Sequence, residues 1–215
     1  IPTVDLVGVT GGVAANNATY RDDIDIFVIS RKGTLWSTRL FVTLLVDILG
    51  KRRRPGDRHV QDKLCLNMFM SDDALALPKS ERDLFAAHEV LQMIPLYQRR
   101  GAYQKFLIAN IWIRKLLPNA WGKTIKNVVM GKANDSAWDV GGTGLFGMLV
   151  ILMRLAEYPA RAVQLWYMRG HRTGEVVTDK VLRFHPRDAR PWVKRKLALR
   201  LARFGIPLDK VFYSR

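Results

Sequence analysis

Two short β-branched apolar runs near the start, VDLVGVT at Val4–Thr10 and IDIFVIS at Ile24–Ser30, constrain the fold more than any other feature. Runs of this length, rich in Val and Ile and bounded by turn residues, read as strands rather than helices. The first closes on Gly11-Gly12 and the second is broken by Arg31-Lys32-Gly33. Along the second strand, alternation puts Ile24, Ile26, Val28 and Ser30 on one face and Asp25, Phe27 and Ile29 on the other. The period then changes: Leu35, Trp36, Leu40, Leu44, Leu45 and Ile48 recur at helical spacing, with Thr34 as N-cap and Gly50 as the stop. Lys51–Lys63, with six basic and two acidic residues around Pro55-Gly56, is expected to be an exposed turn into a third strand at Leu64–Met70.

Ser80 and Asp83 have capping-box spacing and predict a helix running to about Leu96. A second is predicted from Ala102 to Leu117, ended by Pro118. From Asn119 to Gly144 the pattern loosens through Gly131–Ser136 and Gly141–Gly144, which reads as a linker. A helical stretch follows from Leu145 to Arg169, interrupted at Pro159. A last amphipathic helix, Pro191–Phe204, carries Trp192, Leu197, Leu201 and Phe204 on one side and ends at Gly205. The expected fold class is therefore α+β: a small mixed sheet with packed helices over residues 1–118, then a basic helical C-terminal region over 119–215. The chain has 215 residues, 48% of them hydrophobic, enough to bury a core. It opens at Ile1 and enters a strand almost at once, so residues are expected to be missing upstream.

Lys and Arg number 35 against 19 acidic residues, a net charge of +16. That excess points to a polyanionic partner, nucleic acid first and an anionic membrane surface second. The most apolar stretch, Leu145–Met153, is far shorter than the roughly 20 residues a transmembrane helix needs. No signal peptide is visible. The single Cys65, between Leu64 and Leu66, excludes an internal disulfide and reads as a buried thiol in a reducing, cytoplasmic setting. The sequence carries no sign of the oligomeric state.

The pattern that carries chemistry is Gly11-Gly12, ten intervening residues, then Asp23-Ile24-Asp25 at the head of a strand. A Gly-Gly turn lets backbone N–H groups approach a phosphate without side-chain obstruction. Two aspartates one residue apart on a strand project from the same face and can share divalent cations. Two such ions about 3.5–4 Å apart can activate an attacking hydroxyl and stabilise a leaving pyrophosphate.

With VTGG followed by DDIDIFVIS, the chain resembles the DNA polymerase beta-like nucleotidyltransferase superfamily over about residues 4–70. It looks closer still to bacterial nucleotidyltransferase-domain proteins that share LALP, AHEVLQM, QLWYM and FHP. The resemblance implies that Gly11 and Gly12 cradle the triphosphate of an NTP, while Asp23 and Asp25 hold Mg²⁺ or Mn²⁺ against it. Many members have Ser where Gly12 stands. The family's third carboxylate falls at Asn67, which can ligate a cation through its carbonyl but cannot act as a base. Asp72 or Asp73, just past the strand end, are the substitutes within reach of the alignment.

Two readings stay open. One is an enzyme moving a nucleoside monophosphate from an NTP to a hydroxyl acceptor by two-metal in-line displacement, with RNA the acceptor favoured by charge and a protein target also open. The other is a non-catalytic module of the same fold that binds nucleic acid or a protein partner. Lys51, Arg52, Arg53, Arg54, Lys194, Arg195 and Lys196 are the expected phosphate contacts. Trp166, Tyr167 and Met168, beside Arg169, His171 and Arg172, suit either a base-stacking platform or a helix core. His88-Glu89 reads as a helix-surface pair and His185-Pro186 as a turn. No histidine has metal-ligand spacing.

Overall fold

The computed structural model describes residues 1–54, 56–130, 144–169, 175–184 and 190–206. Outside them lie Pro55, most of the glycine-rich stretch after Met130, His171, Arg172 and His185-Pro186. In chain order the elements are β1 (Val4–Thr10), α1 (Gly11–Ala14), β2 (Ile24–Ser30), α2 (Leu35–Ile48), β3 (Leu64–Ser71) and α3 (Leu84–Gln92). There follow β4 (Ile94–Gln98), α4 (Ala102–Ala109), α5 (Ile113–Leu116), α6 (Pro118–Met130), α7 (Leu145–Leu155), α8 (Glu157–Met168), β5 (Val176–Val177), β6 (Val181–Arg183) and α9 (Arg190–Ala202). The class is α+β, with a mixed sheet in the order β4-β1-β2-β3-β6-β5. β2 and β3 are parallel, joined through α2, and the other neighbours are antiparallel. Among the described residues, the 119–215 region is largely helical and also supplies β5 and β6 to this sheet.

Both faces of the sheet are covered. Leu6, Phe27, Ile29 and Met70 pack against Ala86 and Val90 of α3, Phe106 of α4 and Trp121 of α6. Val9, Ile26, Val28, Phe69 and Leu182 pack against Leu35 and Trp36 of α2 and Ala160 and Met168 of α8. The alternation read from IDIFVIS therefore holds.

Several boundaries differ from the sequence reading. The helix expected to reach Leu96 stops at Gln92, and Ile94–Gln98 pairs with β1 instead. Pro95 cannot donate to a ladder, so this strand lies on the sheet edge. Asp83, not Ser80, caps α3, accepting from Ala86 N at 2.9 Å. The helix expected over Ala102–Leu117 breaks at Asn110, which is fully buried and satisfies Leu77 N, Leu75 O and Phe106 O at 2.9 Å each. α5 ends just before Pro118, as expected, but Pro118 also opens α6, since a first-turn proline sacrifices no intrahelical bond. The expected linker from Asn119 is thus helical through Met130. The stretch from Leu145 divides at Ala156, with Pro159 in the first turn of α8.

Helix α2 is stopped by Gly50 in the left-handed region, φ 66°, as expected. Its N-terminus is capped from afar. Thr34 bonds Arg31 O, while the Glu157 carboxylate of α8 accepts from Trp36 N and Ser37 N at 2.9 Å each. Of the apolar residues at helical spacing in α2, Leu35 and Trp36 are buried while Leu44, Leu45 and Ile48 are exposed. α9 lies over α3 with none of its residues buried: Leu197 and Leu201 are half-buried, Trp192 is 55% exposed, and Phe204, past the end of the helix, is 78% exposed. Among the described residues no helix is long and apolar enough to cross a membrane.

Candidate functional site

The end of β1 and the start of β2 meet where Thr10 pairs with Asp25, and the parallel ladder sets Cys65 beside Asp25 on the other side. Asp23, Asp25 and Cys65 thereby offer ligand atoms that all lie within 4.8 Å of one another, a group able to hold a metal ion. Gly11 is built against this group. It sits at φ +64°, and a Cβ there would come 2.2 Å from Asp25 Oδ2. Only glycine tolerates both the backbone and the contact. Gly12 is less constrained, with Ala18 the nearest neighbour at 3.8 Å, so a larger residue fits there.

Asp23 accepts from Arg53 at 2.7 Å, and the same guanidinium reaches Cys65 Sγ at 3.8 Å. Burial and the two neighbouring carboxylates push the Cys65 thiol up to about 12. Sulfur is a soft donor, so a hard cation would be held mainly by the two carboxylates.

Asn67 is 6% exposed and lies where the β2–β3 register slips, Ile26 facing Leu66 and Phe27 facing Met68. It is the extra residue of a β-bulge. Strict alternation put Cys65, Asn67 and Phe69 on one face. The bulge sends Phe69 to the opposite core and leaves Asn67 lining a cavity of about 110 Å³ with Thr10, Phe27, Glu89 and Arg183. Asn67 thus shares the Asp25 side of the sheet.

Asp72 and Asp73 do not substitute for a third carboxylate. β2 and β3 are parallel, so their C-terminal ends, Ser30 and Ser71, lie together about 17 Å along the strand from Asp25. There Asp72 meets Arg100 at 3.4 Å, and Asp73 meets Lys180 at 3.0 Å.

The residue that the sequence reading missed is Glu89. His88 is exposed, as expected, but Glu89 turns inward and lines the cavity with Asn67. Burial, then the charge of Asp25, pushes its carboxyl above the usual range. The signal was present: Glu89 falls three residues after Ala86 and four before Met93, on the buried stripe of α3.

The expected phosphate contacts are only partly open. Arg52 and Arg54 both pair with Asp47, at 2.6 and 2.9 Å, and Arg53 with Asp23, so three of the four basic residues from Lys51 are tied to acids. Lys194 pairs with Asp83 at 2.9 Å and anchors α9 to α3. Lys51, Arg195 and Lys196 are exposed, and the Lys196 ammonium lies 4.8 Å from the Trp192 ring centroid. Of the possible stacking platform, Trp166 and Tyr167 are exposed while Met168 is core. No family model matches the chain, and neither a curated protein nor a solved structure does.

Proposed function

We propose that this protein is a metal-dependent nucleotidyltransferase that moves a nucleoside monophosphate from an NTP to a hydroxyl acceptor, with RNA the favoured acceptor. The observation that carries this reading is the pairing of Asp23 with Asp25, the latter held against the Gly11 backbone where β1 meets β2. Two carboxylates suit Mg²⁺ or Mn²⁺, which prefer oxygen donors. The glycine cradle leaves backbone N–H groups free of side chains where a phosphate would approach.

Asp23 and Asp25 would hold the cations, which supply charge to polarise the α-phosphate and lower the pKa of the attacking hydroxyl. The hydroxyl oxygen bonds to the α-phosphorus, the bond from that phosphorus to the bridging oxygen of the pyrophosphate breaks, and the hydroxyl proton passes to a base. Asn67 cannot be that base, whereas Glu89 carries a carboxylate on the same side of the sheet. Arg53 holds Asp23 until a cation competes for it. The net charge of +16 favours a polyanionic acceptor.

Incubation with each labelled NTP, Mg²⁺ or Mn²⁺ and total RNA tests the reading: label enters RNA with the unmodified chain and not with Asp25→Asn. The Arg53–Asp23 ion pair and Asn67 favour a second reading, a non-catalytic module that binds nucleic acid. That reading prevails if RNA binds, log K falling by about 0.7–0.9 per neutralised phosphate with log salt, yet no nucleotide is ever incorporated.

A further inference from the structure

Helix α9 has no buried residue, although Trp192, Val193 and Leu197 all turn towards α3. Two ion pairs, Lys194 to Asp83 at 2.9 Å and Arg190 to Glu81 at 3.8 Å, fasten the helix to the segment that starts α3. Beyond these tethers the helices stand apart. A cleft of about 530 Å³ lies between them, within the size range of small-molecule sites.

The lining is specific in kind. Trp192 and Phe85 supply aromatic surface, Lys196 and Arg200 supply cations, and His88 and Gln92 supply polar edges. Trp192 is 55% exposed, unusual for a residue that is highly buried on average, and Lys196 lies over its ring. A flat, exposed indole beside two cations matches a planar heterocycle joined to a phosphate.

The cleft also has a direction. Glu89 lines both it and the inner cavity that holds Asn67 and Thr10, and Thr10 pairs with Asp25 between β1 and β2. Asn17, a few residues beyond the glycine turn, closes the same wall. One end of the cleft therefore leads, by way of Glu89 and Thr10, towards Asp25.

We infer that the α3–α9 cleft seats a single nucleotide unit, its base against Trp192 and its phosphate on Lys196 and Arg200. The seat itself needs only the cleft; its role in positioning a reacting nucleotide rests on the function proposed above. Two sources share this chemistry, the NTP donor and the terminal nucleotide of an RNA acceptor.

Binding by the full chain is measured in EDTA, which removes any contribution of cations at the aspartates. The probes are an N-methylanthraniloyl-labelled ATP and a short 5′-fluorescein oligoadenylate with a free 3′-hydroxyl. Trp192→Ala weakens at least one probe by about tenfold or more, and Trp192→Phe, which keeps a stacking face, restores most of it. Loss on ATP alone assigns the seat to the donor, loss on the oligonucleotide alone assigns it to the acceptor, and loss on both shows that each can occupy it. Lys196→Ala and Arg200→Ala alter exposed side chains, so they carry the test if Trp192→Ala loses helical circular dichroism.

Unchanged affinity for both probes in all these variants overturns the inference. The two ideas fail separately. If Asp25→Asn abolishes transfer while the cleft variants bind normally, the seat is wrong and the reaction stands. If the cleft variants lose binding but the unmodified chain never transfers a nucleotide, the seat stands and the reaction is wrong.

Discussion

Gly11→Ala separates the contribution of the glycine turn from that of the aspartates. Gly11 sits at φ +64°, and its added Cβ would lie 2.2 Å from Asp25 Oδ2, inside any tolerable contact. A left-handed conformation costs a non-glycine residue about 1–2 kcal/mol. Turning Asp25 off its rotamer to clear the methyl costs about 0.5–1.5 kcal/mol more. The sum, about 1.5–3.5 kcal/mol, corresponds to a Tm lower by roughly 3–14 °C in a chain of this size. Mn²⁺ affinity by calorimetry falls with it, because the displaced carboxylate no longer faces Asp23. Gly12→Ala is the control: its nearest neighbour is 3.8 Å away and it lies inside α1, where alanine is the better helix former by about 0.5–1 kcal/mol. Its Tm stays level or rises and Mn²⁺ binding persists. If Gly11→Ala melts and binds Mn²⁺ like the parent chain, the argument that this glycine exists to admit Asp25 is wrong.

Arg53→Ala frees Asp23 from its 2.7 Å partner and is expected to tighten Mn²⁺ binding, read by the same calorimetry; weaker binding would make Arg53 part of the site's support rather than a competitor. Glu81 is held below the usual carboxylate range by hydrogen bonds from Arg183 at 2.6 and 2.9 Å. A depressed folded pKa adds stability above the unfolded value near 4.5, lost as pH falls through the folded value. Glu81→Gln should therefore cost about 1–3 kcal/mol in urea unfolding at pH 7, and the gap from the parent should close below about pH 4; a pH-independent gap would refute the linkage. Asn110→Ala strands buried Leu77 N, Leu75 O and Phe106 O, an expected loss of at least about 3 kcal/mol in the same assay.

Local chemistry made part of this molecule legible in advance. The strands at Val4–Thr10, Ile24–Ser30 and Leu64–Met70 follow from β-branched runs between breakers, and the Asp23-x-Asp25 spacing brings the two carboxylates together at the head of β2. Glycines 11 and 50 mark left-handed positions that no other residue type takes cheaply. Edge strand β4 was hidden because Ile94-Pro95-Leu96 continues an apolar helical rhythm. Only the unpaired edge of β1 makes it a strand. The α2 cap was equally invisible, since its carboxylate arrives from Glu157 across more than a hundred residues.

The sequence by itself determined the strand runs, the Asp23-x-Asp25 pair and the left-handed Gly11 turn beside it, because alternation and glycine stereochemistry act within a few residues. The tertiary structure decided their company. Parallel pairing of β2 with β3 put Cys65 beside Asp25 and carried Asp72 and Asp73 about 17 Å away, and one bulge at Asn67 reversed the faces of every residue after it. Packing of α3 turned Glu89 inward, and long-range ion pairs converted Arg52, Arg53, Arg54 and Lys194 from open phosphate contacts into internal ties. Charges and hydrogen-bonding groups find partners through space, at distances that spacing along the chain does not encode.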